Sequence, residues 1–88
     1  MKVEWSDPAI DRLTELYVDL SLDDQRELAR SLVGINNRLA TDPWEVGESR
    51  GANQRVWFSQ YLVIHFEFTA ELGVFVLKIA RNQCNWFQ

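Results

Sequence analysis

One cysteine, one histidine, two prolines and four glycines are all that the sequence holds of the residues from which most compact chemical sites are built. Cys84 has no second cysteine to pair with, which excludes an intramolecular disulfide, and its expected role is that of a small apolar side chain. His65 and Cys84 together fall short of the four nitrogen or sulfur donors of a zinc site, so no metal is expected. There is no glycine-rich phosphate loop, no CxxC pair, no HExxH and no GxSxG, which removes the nucleotide, metalloprotease and serine-hydrolase classes. No cofactor is expected either. No run of about 18 apolar residues occurs, so no membrane-spanning helix is predicted. The opening Met1-Lys2-Val3-Glu4-Trp5 lacks the apolar core of a signal peptide. A lone thiol without an export signal fits a reducing cytoplasm, and that is the expected location.

Positive charge is also scarce. Nine Lys and Arg stand against thirteen Asp and Glu, for a net charge of −4. Tight binding to phosphates needs clustered cations, so a high-affinity, sequence-independent nucleic-acid binder is disfavoured. The charge is uneven, however. Acidic residues crowd the stretch before Ser49, and the remainder has a slight basic excess. What the sequence has in plenty is aromatic rings: eleven in all, nine of them from Trp44 onward. Such a concentration can fill a small core or leave apolar surface for a partner. At 88 residues the chain makes one domain, residues 1–88, with a modest stability on the order of 5–10 kcal/mol.

Hydropathy patterning then gives the elements. Lys2 to Trp5 alternates polar and apolar, as a short strand does. Ser6-Asp7-Pro8 supplies a helix cap and a proline suited to the first turn. Ile10, Leu13, Leu16 or Tyr17, and Leu20 recur at helical spacing. Ser21-Leu22-Asp23-Asp24 opens a second helix with acidic residues where the helix dipole favours them. Leu28, Leu32, Ile35 and Leu39 form its apolar stripe, and Asp42-Pro43 stops it. Residues 41–53 read as an irregular connection. Strands follow at Gln54 to Phe58, Tyr61 to Phe68 and Val74 to Ala80. In the second of these, Leu62, Ile64, Phe66 and Phe68 share one face, and Tyr61, Val63, His65 and Glu67 the other. The predicted fold is α+β in the order β-α-α-β-β-β, a helical hairpin on one face of a small, mainly antiparallel sheet. Leu13, Leu20, Leu28, Leu32, Ile35, Leu62 or its face-mates Ile64 and Phe66, and Leu77 are the expected contacts between the layers. The first strand is expected at an edge beside the final strands, antiparallel to its neighbour.

Chemistry, if present, lies on the polar face of that sheet. Alternation places Arg55 and Trp57 on one strand, Tyr61, His65 and Glu67 on the next, and Lys78 or Arg81 on the last. An imidazole can serve as acid or base near neutral pH, and guanidinium groups can hold a phosphate. Arg55, His65 and Arg81, with Arg50 nearby, are therefore candidates for a metal-free phosphoryl-transfer surface. The alternative is a solvated sheet face on which His65 simply pairs across strands. Arg50, Trp57, Tyr61, Trp86 and Phe87 are the candidate binding residues, with Trp57 and the Trp86-Phe87 tail lining a peptide groove.

Taken in order, several short motifs resemble the RelE/ParE toxin superfamily of bacterial type II toxin–antitoxin modules. They are Lys2-Val3-Glu4-Trp5-Ser6, Asp7-Pro8-Ala9 opening a helix, Leu39-Ala40-Thr41-Asp42-Pro43 closing one, and Gly47-Glu48-Ser49-Arg50. Arg55-Val56, Tyr61-Leu62-Val63-Ile64-His65-Phe66 and Val74-Phe75-Val76-Leu77-Lys78-Ile79-Ala80-Arg81 continue the likeness. The resemblance implies growth inhibition and neutralisation by a cognate antitoxin in a heteromer. Its target would be DNA gyrase, bound in the ParE manner, or ribosome and mRNA, cut without metal in the RelE manner. A degenerate, non-toxic member that only binds a partner is a third reading. Leu62 stands where the cleaving members commonly carry Arg, Asn82-Gln83 where they carry a basic pair, and Trp86 and Phe87 lack the acidic hydroxyl of a terminal Tyr. These departures favour the binding readings over the nuclease.

Overall fold

The computed structural model describes residues 1–87. Strand β1 (Val3–Trp5) leads into helix α1 (Asp7–Val18), helix α2 (Leu22–Thr41), a short 3-10 turn (Pro43–Glu45), and strands β2 (Glu48–Ser49), β3 (Gln54–Phe58), β4 (Leu62–Thr69) and β5 (Gly73–Arg81). Both helices begin where a serine can cap them. Ser6 Oγ accepts from the Ala9 amide at 3.1 Å and Ser21 Oγ from the Asp24 amide at 3.2 Å, each satisfying a donor the first turn leaves free. α2 stops at Thr41, two residues before the buried Pro43, whose ring cannot continue the helix.

The strands form one sheet in the order β1-β5-β4-β3-β2. β3, β4 and β5 are the expected antiparallel meander, extended by the two-residue β2 inside the segment that reads as irregular. β1 lies at the edge beside β5, as expected, but runs parallel to it. A parallel neighbour needs a crossover, and here the chain's whole remainder supplies one. Ser6 fixes the pairing: its amide donates to Val76 O at 2.9 Å and its hydroxyl to Leu77 O at 2.7 Å, while the same oxygen caps α1.

One layer of helix covers one face of this sheet. Ala9 and Leu16 of α1, with Leu28, Ile35 and Leu39 of α2, meet Leu62, Ile64 and Phe66 of β4 and Val74, Val76 and Ile79 of β5. Leu13, Leu20 and Leu32 are half-buried against that core. Two expectations are corrected. Ile10 is 48% exposed, because the buried stripe of α1 runs through Ala9 and Leu16. Leu77 is only half-buried, because β5 carries a bulge there: His65 pairs with Lys78 but Phe66 with Val76. Strict alternation from Val74 and Val76 would drive Lys78 into the core. The extra residue turns Lys78 out and brings Ile79 in.

The sheet face left open

Both helices lie on one side of the sheet, and among the described residues no element covers the other side. The register assigns its residues, since directly paired residues share a face. One row is Phe58, Val63 and Ala80, the next Val56, His65 and Lys78, and the last Gln54, Glu67, Phe75 and Glu4. Phe58 is 58% and Phe75 37% exposed, while Val56, Val63 and His65 are half-buried among their neighbours. Across the face His65 Nε2 meets Gln54 Oε1 at 3.0 Å. The face is thus half apolar and half polar, with one imidazole and one ammonium near its centre and carboxylates at one end. A cleft of about 500 Å³ at that end is bounded by Lys2, Glu4, Glu67, Leu72 and Phe75. There the Lys2 ammonium lies 2.7 Å from a Glu4 carboxylate oxygen, and the hydrogen bond to Glu4 raises its pKa above the ordinary 10.5.

The expected grouping of Arg55, His65 and Arg81 is not what the register gives. Arg55 pairs with Phe66 and Trp57 with Ile64, both fully buried on the helix side, so Arg55 and Trp57 face away from His65. Arg55 is taken up by the backbone: its Nε donates to Val46 O at 2.7 Å and its Nη2 to Gly47 O at 2.8 Å, tying down the segment ahead of β2. Gly47 has φ +72°, and a Cβ there would lie 2.3 Å from Val56 O, so only glycine allows this close approach. Arg81 pairs with Leu62, again on the helix side, at the far end of β5. Four residue steps separate the two arginines along the sheet, about 13 Å, and two strand spacings, roughly 10 Å, lie between them across it. The three groups cannot reach one phosphate.

The candidate binding residues also separate. Arg50 sits in the β2–β3 hairpin, exposed, 3.0 Å from Glu48. Trp57 is half-buried on the core. Tyr61, Trp86 and Phe87 do come together: Phe87 stacks on Tyr61 with ring centroids 4.4 Å apart, and Trp86 meets Phe87 edge-on at 5.4 Å. Asn82 holds the returning segment in place, its amide donating to Tyr61 O at 2.8 Å and its side chain to Ser59 O at 2.9 Å. Trp86 and Phe87 thereby line a cleft of about 230 Å³ with Asp19, Ser21, Asp24 and Arg81 at the α1–α2 junction. Trp57 lies near the same end of the sheet, paired with Ile64 two residues from the Leu62–Arg81 pair, but on β3, two strands from β5, and it is not among the residues lining that cleft.

Sequence reasoning missed three exposed aromatics. Phe58 and Phe75 belong to the open face, and Trp44 projects from the 3-10 turn with 50% exposure. Only Phe58 carried a signal, since it shares parity with Val56 on β3, and that signal needed the register to be used. Among the described residues, no three His, Cys, Asp or Glu side chains gather as a metal site would require. No helix of the structure is long and apolar enough to cross a membrane.

No protein-family model matches the sequence, and a search of curated proteins finds no match. Among solved structures, a chain of the chromosomal ParDE TA system from P. aeruginosa is similar, with a TM-score of 0.69 at 17% identity over 92% of this chain and 95% of that one. The chain shares the fold of that ParDE-system chain.

Proposed function

We propose that a protein with this fold and this open face is the toxin of a type II toxin–antitoxin module, kept silent in a heteromer with a cognate antitoxin. It inhibits growth by binding a protein target in the manner of a ParE-like gyrase poison. One observation carries the choice of mode. The three groups that metal-free cleavage would need are spread over two faces, with Arg55 committed to loop carbonyls and His65 facing Gln54. A general base and a charge clamp must act within hydrogen-bond reach of the same phosphate. The RelE-like ribosome-dependent mRNA endonuclease, the alternative, has no such assembly to rest on. Two surfaces bearing aromatic rings suit recognition instead: the open face with Phe58 and Phe75 for the antitoxin, and the Tyr61, Trp86 and Phe87 cluster for the target.

Induced expression without antitoxin tests this reading. The expected result is arrested growth with intact mRNA by primer extension, and gyrase-dependent DNA breaks in the arrested cells. His65→Ala should leave the arrest unchanged, because no proton transfer depends on it. Mapped cuts in ribosome-bound mRNA that vanish in His65→Ala would overturn the binding mode in favour of the nuclease.

A further inference from the structure

β1 is the outer strand of the sheet and only three residues long. Lys2 O accepts from the Val74 amide and the Ser6 amide donates to Val76 O, so the backbone groups of even-numbered residues face β5. By the alternation of a strand, the N–H and C=O of Val3 and Trp5 point to the free edge. On the open side of this edge stand Lys2 and Glu4; on the helix side stand Val3 and Trp5. Behind the edge runs α2, packed over both β1 and β5. Its flank on that side is marked by Asn36, whose Oδ1 accepts from Trp5 Nε1 at 2.9 Å, and by Ala40, whose carbonyl accepts from the Met1 ammonium at 2.7 Å. Helical spacing places Ala29 and Val33 on the same flank, and Val33 is 62% exposed. From Ala29 to Ala40 these positions carry no charge, and Arg26 stands one turn before them.

We propose that this edge is the seam of a homodimer, in which β1 pairs antiparallel with β1 of a second copy about a two-fold axis at Val3. Val3 then exchanges both backbone hydrogen bonds with Val3 of the second copy. Lys2 lies directly opposite Glu4 of the second copy, and Glu4 opposite its Lys2, so the pair that closes within one chain becomes two pairs between chains. The helix side of the seam is apolar, with Val3 against its equivalent and Trp5 towards Met1. A register shifted by two residues would set Glu4 against Glu4, which like-charge repulsion disfavours. Two sheets joined this way bring the two α2 helices side by side on one face of the continuous sheet. The interface is isologous and closes on itself, so association stops at two.

Sedimentation equilibrium of the purified full chain, from low-micromolar to near-millimolar concentration, reads this directly. The parent is expected to pass from monomer to dimer. Val3→Pro removes one edge-facing N–H per copy and none that faces β5, and should remain monomeric with an unchanged circular dichroism spectrum. Lys2→Glu should weaken dimerisation about tenfold or more, since two attractive cross-strand pairs become repulsive. Lys2→Glu with Glu4→Lys should restore the parental constant to within about threefold, as the opposing charges are again complementary. The charge variants lie on the solvent side and keep the test intact if Val3→Pro fails to fold. A parent that stays monomeric throughout, or a double variant no tighter than Lys2→Glu alone, would overturn the proposal. Dimerisation that survives every variant would place the contact elsewhere and overturn it too.

Discussion

Phe66→Ala is expected to cost about 3–5 kcal/mol, a large part of what a domain of this size has to lose. Phe66 is fully buried at the centre of β4, where it faces both helices, and truncation leaves a cavity the surrounding backbone cannot collapse to fill. Phe58→Ala is the matched control. That ring is 58% exposed on the other face of the sheet, so its loss should change stability by no more than about 0.5 kcal/mol. Urea denaturation of both variants checks the assignment of the two faces at once. Equal losses would mean that the open face is covered in solution.

Arg55→Ala has the second-largest expected effect, and its signature is structural. Two charged hydrogen bonds to the carbonyls of Val46 and Gly47 are lost, for about 2–3 kcal/mol. In a domain of this length that is on the order of 10–20 °C in Tm. Arg55→Lys should recover little, because a single ammonium cannot span both carbonyls as the planar guanidinium does. Any loss of growth inhibition in Arg55→Ala should therefore be regained at low temperature, where the folded fraction recovers. Inhibition that stays absent in a folded Arg55→Ala protein, by circular dichroism at the assay temperature, would instead give the side chain a direct part in the action.

The parts of the fold that were readable are those whose signal is local. Ser6 and Ser21 announce their helices by capping chemistry, and Leu28, Ile35 and Leu39 repeat at the helical period in a stretch long enough to leave no ambiguity. β4 alternates so regularly that its buried face, Leu62, Ile64 and Phe66, follows from the residues alone. β3 gives no such help. Arg55 and Trp57 on one side, and Gln54, Val56 and Phe58 on the other, each mix polar with apolar, so the strand's own pattern does not decide which set faces inward. The pairing with β4 decides it, and it puts Arg55 opposite to the expectation that set it beside His65. The bulge at Leu77 and the parallel placement of β1 are likewise settled by partners far away in the chain. The candidate site inherited these gaps: each residue was identifiable by type, but its neighbours depended on register.

The parallel pairing of β1 with β5 also orders events in time. Ser6 bonds to Leu77 across 71 positions, and β5 is the strand that both β1 and β4 need beside them. During synthesis, N-terminal first, α1 and α2 can form early as a hairpin, but their apolar faces have only a partial sheet to rest on until β5 emerges. A nascent or truncated chain that lacks residues 73–81 therefore lacks the strand that joins β1 to β4, and with it the bulge that turns Lys78 outward. Such a fragment is expected to be sensitive to proteolysis. Completion of the fold therefore awaits the emergence of β5.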